Sequence, residues 1–144
     1  MNNSNRSNSK ALIYDGTTYR SVNISKIKKC ESDKGYVDIS LEGFEKPMTC
    51  ICTLTNCEEL LKCFGIFCIN RGILINLHDI DSLDRKTKKV TLTNKETLDV
   101  APDRFNELVV AMVMIHQCSI GNLPENIQEM IDILRKKNLY RDKV

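Results

Sequence analysis

Between Leu12 and Val100 apolar and polar residues alternate in short runs, the period of half-buried β-strands. The clearest run is Tyr36-Val37-Asp38-Ile39-Ser40-Leu41, which places Val37, Ile39 and Leu41 on one face and Asp38 and Ser40 on the other. Tyr14-Asp15-Gly16-Thr17-Thr18-Tyr19 reads as two half-strands around an Asp-Gly turn, the strongest short-range hairpin signal. Val22, Ile24 and Ile27 carry the chain into a strand through Cys30, which turns at Ser32-Asp33-Lys34-Gly35 and again at Glu42-Gly43. Met48 to Leu54 reads as the next strand. Ile66 to Leu77 is apolar except at Asn70, Arg71, Gly72 and Asn76 and predicts two strands around a polar break. Ile80 to Val100 predicts a three-strand meander with turns at Asp84-Arg85-Lys86-Thr87 and Asn94-Lys95, its buried face marked by Val90, Leu92, Leu98 and Val100.

Helical spacing enters at two places. A short internal helix is predicted with Asn56 as cap, Glu59 returning the capping bond, Leu60, Leu61 and Phe64 as inner face and Gly65 as stop. After Val100 the period changes for good. Pro102 suits a first helical turn, and Phe105, Leu108, Val109, Met112, Val113 and His116 make a wide stripe. Ser119 to Leu123 breaks it. Pro124 to Asn138 then predicts a second amphipathic helix, with Ile127, Ile131 and Leu134 inward, acids early and Arg135, Lys136 and Lys137 late, as the macrodipole prefers. Residues 1–10, mostly Asn, Ser and basic, predict a flexible leader. The fold class is therefore mainly β with one short internal helix and a C-terminal helical extension, divided as leader 1–10, domain 11–118 and extension 119–144.

Composition narrows this picture. A chain of 144 residues with 42% hydrophobic residues holds one core and is not a disordered polymer. With 21 Lys and Arg against 19 Asp and Glu, the net charge of +2 excludes a diffuse polycation, although a local basic patch remains compatible. Seven cysteines cannot all pair, and the Asn- and Ser-rich start has no signal-peptide character, which predicts a reducing compartment and mostly free thiols. The longest apolar run, Val109 to Ile115, is far short of the roughly 20 residues that span a bilayer. A cytoplasmic protein without a membrane partner is expected.

Catalysis has little to work with. His78 and His116 are the only histidines, neither spaced to pair with a nucleophile and an orienting acid, and no phosphate-binding Gly loop, paired-carboxylate signature or His-Glu-x-x-His occurs. No enzyme and no cofactor are expected. Cys50, Cys52, Cys57, Cys63 and Cys68 raise a zinc site, but Cys50-Ile51-Cys52 lacks the turn spacing of a zinc knuckle, so buried or half-buried free thiols are expected and no metal. Basic residues cluster at Lys26, Lys28 and Lys29 and at Arg85, Lys86, Lys88 and Lys89. Solvated faces and nucleic-acid contacts both fit such clusters, and charge alone does not separate them.

The order of elements is more informative. The run Val22-Asn23-Ile24-Ser25-Lys26-Ile27-Lys28-Lys29-Cys30-Glu31-Ser32-Asp33-Lys34-Gly35-Tyr36-Val37-Asp38-Ile39 is followed by the short helix and then by Phe67-Cys68-Ile69-Asn70-Arg71-Gly72-Ile73-Leu74-Ile75-Asn76. With the hairpin carrying Ile80, Asp84, Val90, Leu92, Asn94 and Val100, this order resembles the LytTR family of bacterial DNA-binding domains over about residues 10–110. In that family a Cys- or Ile-Glu-Ala step leads through Asp-Gly-Asn-Tyr, and a later signature reads Phe-x-Arg-x-His-Arg-Ser-Tyr-Leu-Val-Asn.

The resemblance implies a β-rich fold that places loops, not a recognition helix, into successive major grooves of double-stranded DNA, as a dimer on a direct repeat. The family usually follows a receiver domain, and none precedes it here, which implies a stand-alone regulator or a fragment. Base contacts carry over to Lys34 in the turn after Glu31 and to Asn70-Arg71 at the His-Arg pair, with Lys28, Lys46, Lys88 and Arg104 as phosphate neutralisers. The third family contact, Ser-Arg-Arg, is Ala101-Pro102-Asp103 here, with Arg104 one position late. For Asn70 with Gly72 the alternative is a simple bend, and for Lys34 a solvated turn lysine. The expected function is a LytTR-type transcriptional regulator. Its alternative is a LytTR-like domain that no longer reads DNA and acts as a protein-interaction module, through the helix at Pro124 to Asn138.

Overall fold

The computed structural model describes residues 9–137. The first two strands, β1 (Lys10–Tyr14) and β2 (Tyr19–Asn23), form the expected hairpin. Its turn is built by Asp15, whose Oδ1 accepts from the Thr17 and Thr18 amides at 2.9 and 2.7 Å, while Gly16 takes φ 105 and the Tyr14 and Tyr19 rings stack. The leader expected over residues 1–10 lies outside the described residues except for its last two, of which Lys10 opens β1.

A five-stranded antiparallel sheet follows. It comprises β3 (Ile27–Asp33), β4 (Tyr36–Leu41), β5 (Met48–Cys50), β6 (Ile66–Asn70) and β7 (Ile73–Asn76), in the order β5-β4-β3-β7-β6. Strand β4 buries Val37, Ile39 and Leu41 on one face, as its alternation predicts. The helix α1 (Leu54–Leu61) crosses that face, and its Cys57 and Leu61 join Ile13, Ile27, Cys30, Ile66 and Leu74 in one core. The other face of β6 and β7 carries the intervening residues Phe67, Ile69 and Ile75 into a second core. There they meet a three-stranded sheet of β8 (Ile80–Asp84), β9 (Lys89–Leu92) and β10 (Thr97–Asp99), together with α2 (Pro102–Ile115). Period-2 alternation thus supplies two cores from the same strands.

A third helix, α3 (Glu125–Lys136), lays Ile127 and Ile131 against Val110 of α2. Asn138, the expected end of this helix, lies outside the described residues. The one buried polar side chain among the described residues, Asn76, donates from Nδ2 to the Ile27 carbonyl at 2.8 Å and accepts from the His78 amide at 3.0 Å. It ties the end of β7 to the start of β3. No described helix is long and apolar enough to cross a membrane.

Three local expectations are corrected. Strand β5 ends at Cys50 and not at Leu54, because Thr53 caps α1 instead of Asn56: Thr53 is extended, and its Oγ1 accepts from the Asn56 amide at 3.1 Å. The inner face consequently rotates. Cys57 and Leu61 are buried, Leu60 is 72% exposed, and Glu59 pairs with Lys62 at 3.4 Å instead of closing a capping box. Gly65 does end the helical stretch, at φ 85. In α2 the buried set includes Val110 and Ala111, and His116 stands beyond the last turn.

Candidate nucleic-acid interface

The β3–β4 turn has Lys34 and Gly35 both at positive φ, 45 and 96, the pattern of a two-residue hairpin turn matched to strand twist. Glycine adopts this region freely, whereas a left-handed Lys costs roughly 1–2 kcal/mol. The turn holds Lys34 exposed at its tip. Because β7 runs antiparallel to β3, with Glu31 opposite Ile73, the β6–β7 turn lies at the same end of the sheet. The Ser32 amide closes this junction by donating to the Gly72 carbonyl at 3.0 Å.

Asn70 gives that second turn its shape. Its Oδ1 accepts from the Gly72 amide at 2.9 Å, and its Nδ2 donates to the Asp99 carbonyl at 2.8 Å. Both ends of the amide are engaged within the fold, so Asn70 positions the turn. Arg71 at the tip is exposed and makes no hydrogen bond or ion pair with a described residue. Next to it the Ala101 amide donates to the Ile69 carbonyl at 2.8 Å, bringing the entry of α2 to the same end.

The β8–β9 turn arrives there too. Lys89 is paired with Asp99 across β9 and β10, and the Val100 amide donates to the Lys88 carbonyl at 2.9 Å. Asp84 shapes this turn by accepting from the Lys86 and Thr87 amides at 2.9 and 3.3 Å, and Lys88 sits at φ 57. Lys88 Nζ donates to the Arg85 carbonyl at 2.7 Å and lies 5.1 Å from the Phe105 ring centroid. Lys89 Nζ pairs with Asp99 at 2.7 Å, a contact whose exposure makes it weak.

Four segments therefore meet at one end of the molecule: the β3–β4, β6–β7 and β8–β9 turns and the β10–α2 junction. Their basic residues Lys34, Arg71, Arg85, Lys86, Lys88, Lys89 and Arg104 outnumber the acids Asp33, Asp84, Asp99 and Asp103. Arg104 is held inward, with Nε donating to the Cys68 carbonyl at 2.6 Å, the guanidinium 5.3 Å from the Phe67 ring centroid and Nη2 3.9 Å from Glu58. Lys28 and Lys46 are elsewhere. Lys28 stands at the start of β3, six residues or about 20 Å of strand from Lys34, and Lys46 lies in the loop leaving the far end of β4. Of the expected set the structure brings together Lys34, Asn70, Arg71, Lys88 and Arg104. It adds Arg85, Lys86 and Lys89, whose signal in the sequence was their clustering.

The LytTr DNA-binding domain profile matches residues 17–112. The chain belongs to the LytTR family. A solved LytTr DNA-binding domain from Bacillus cereus shares the fold, with a TM-score of 0.58 at 19% identity, covering 70% of this chain and 96% of that one. A search of curated proteins found no match. The mainly β architecture is that of the family, and the chain carries a DNA-binding domain of the type used in transcription regulation. Helix α3 lies beyond the residues matched to the LytTR domain and packs on α2 through Ile127 and Ile131.

Proposed function

We propose that this chain is a transcriptional regulator that reads duplex DNA with the end of the sheet where the four segments meet. The observation that carries this reading is the convergence itself: separate hydrogen bonds from Ser32, Asn70, Ala101 and Val100 fix three turns and a helix entry side by side. Arg71 and Lys34 are the readers. An Arg on a rigid turn can bond guanine O6 and N7 together, worth about 1–3 kcal/mol of discrimination. Arg85, Lys86 and Lys88 neutralise phosphates, and Asn70 and Arg104 act as positioning residues. Lys28 and Lys46, at the other end of the sheet, take no part.

One sheet end covers one stretch of groove, so a direct-repeat site takes two copies. Fluorescence anisotropy with duplexes selected from a random pool, titrated in salt, tests the reading. Binding is expected to weaken with salt by a slope near −0.9 per phosphate contact. Arg71→Ala should lose preference for the selected site more than general affinity, and Lys86→Ala should lower the salt slope by about one with little change in preference. Failure to select any sequence, or equal loss by Arg71→Ala on selected and random duplexes, would refute it. One- and two-repeat duplexes compared by sedimentation should show one and two bound copies.

A further inference from the structure

Around the start of α1 lies a run of sulfurs that DNA reading does not use. Cys57 Sγ is 3.0 Å from Cys52 Sγ, which donates to Cys50 Sγ at 3.4 Å, and the fully buried Cys30 of β3 belongs to the same core. All seven cysteines are free thiols, and no described group of three or more His, Cys, Asp or Glu is arranged to hold a metal ion.

The capping geometry explains the close pair. With Thr53 as N-cap, Cys52 is the residue just before the cap and Cys57 is the fourth helical residue. These are the two positions whose side chains meet as a hydrophobic staple. Here the staple is built of two thiols. A disulfide needs the sulfurs at about 2.05 Å, so closure requires about 1 Å of approach by side-chain rotation. Cys50 ends β5 and the chain bends at Ile51 and Cys52, which leaves the Cys50 and Cys52 sulfurs 3.4 Å apart, the longer of the two approaches.

We propose that Cys52 and Cys57 form a dithiol site that exchanges with low-molecular-weight disulfides to close an internal disulfide across the N-terminus of α1. Cys52, half-buried at the surface, attacks as thiolate one sulfur of the small disulfide, forms a mixed disulfide and releases one small thiol. Cys57, 7% exposed and shielded from the reagent, then loses its proton and attacks Cys52 Sγ, expelling the second small thiol. Two protein thiols are oxidised and one external disulfide is reduced to two thiols, which balances atoms and electrons.

The full chain carrying Cys63→Ser and Cys118→Ser, which removes the two exposed thiols, is incubated with glutathione disulfide, blocked with an alkylating agent, and analysed by mass spectrometry. The expected product has lost two hydrogen atoms, retains no glutathione and has Cys52 and Cys57 jointly protected from alkylation. Adding Cys57→Ser should trap glutathione on Cys52, and adding Cys50→Ser should leave the crosslink intact. A lasting glutathione adduct on Cys52 in the chain that keeps Cys57, or loss of the crosslink in the Cys50→Ser form, would overturn the assignment. Neither readout depends on DNA, so DNA reading and this site stand or fall separately.

Discussion

Asn70 and Arg71 are neighbours on one turn with opposite expected behaviour. Asn70→Ala removes two hydrogen bonds, to the Gly72 amide at 2.9 Å and the Asp99 carbonyl at 2.8 Å. A hydrogen bond contributes about 0.5–1.5 kcal/mol net, and water can reach this half-buried turn, so the loss of stability should be about 1–2 kcal/mol. Arg71 is exposed and bonded to no described residue, and its truncation should stay within about 0.5 kcal/mol of the parent. DNA reading reverses the order. Arg71→Ala should reduce the ratio of selected to random duplex binding by about 5- to 150-fold, the equivalent of about 1–3 kcal/mol. Asn70→Ala should weaken binding because Arg71 is no longer held, with recovery at lower temperature where the turn re-forms. Urea unfolding at unchanged m-value and competition anisotropy measure the two quantities. An Asn70→Ala protein of parental stability that has lost sequence preference would show that Asn70 itself reads a base, and the division of roles would be wrong.

The remaining predictions concern stability and thiol chemistry. Asn76→Ala leaves the Ile27 carbonyl and His78 amide without their side-chain partner at a buried site, and should cost about 2–3 kcal/mol in urea unfolding. Asp79 has a buried Oδ2 without a hydrogen bond, and burial raises its pKa, so its folded pKa exceeds the unfolded one. The protonated form is then favoured by folding, and this side chain's contribution to stability falls as pH rises through the raised pKa. Asp79→Asn should remove that dependence and raise stability at neutral pH relative to the parent, and an unchanged pH profile would refute the assignment. Burial pushes the Cys52 and Cys57 thiols up to about 11, so crosslinking by glutathione disulfide should accelerate roughly tenfold per pH unit from neutral pH up to that value, as followed by timed alkylation.

Much of the fold was legible because period-2 alternation is a local property. The β4 run, the two strands around Asn70-Arg71-Gly72 and the meander from Ile80 were each bounded by turn residues, and each formed as read. The start of α1 was not legible to that degree. Thr53 and Asn56 are both good caps, three residues apart, and the choice follows from which face buries Cys57 and Leu61, a tertiary fact. The expected inner face of Leu60, Leu61 and Phe64 left out Cys57, although a free Cys packs as a small apolar residue. At the candidate site, residues on turns were found from the turns. Membership of one surface was not, since it depends on strand direction: the antiparallel run of β3 and β4 puts Lys34 at one end and Lys28 and Lys46 at the other.

The departures at the entry of α2 have a structural explanation that also bears on the charge balance. Ala101 donates its amide to Ile69, Pro102 occupies a position that needs no donor, and Asp103 places a carboxylate in the first turn, where the helix macrodipole favours it. Arg104 faces inward over Phe67, so this junction serves helix initiation and packing and contributes little free positive charge to the surface. The β8–β9 turn compensates, since Arg85 and Lys86 are exposed and Lys88 and Lys89 flank them at the same end. A net charge of +2 is therefore compatible with a DNA-facing surface, because strand topology gathers basic turns at one end while Glu42, Glu45 and Glu96 lie in the loops that leave the other ends of β4 and β9. If this end of the sheet reads DNA as proposed, the position of charge along the antiparallel strands matters more than its sum.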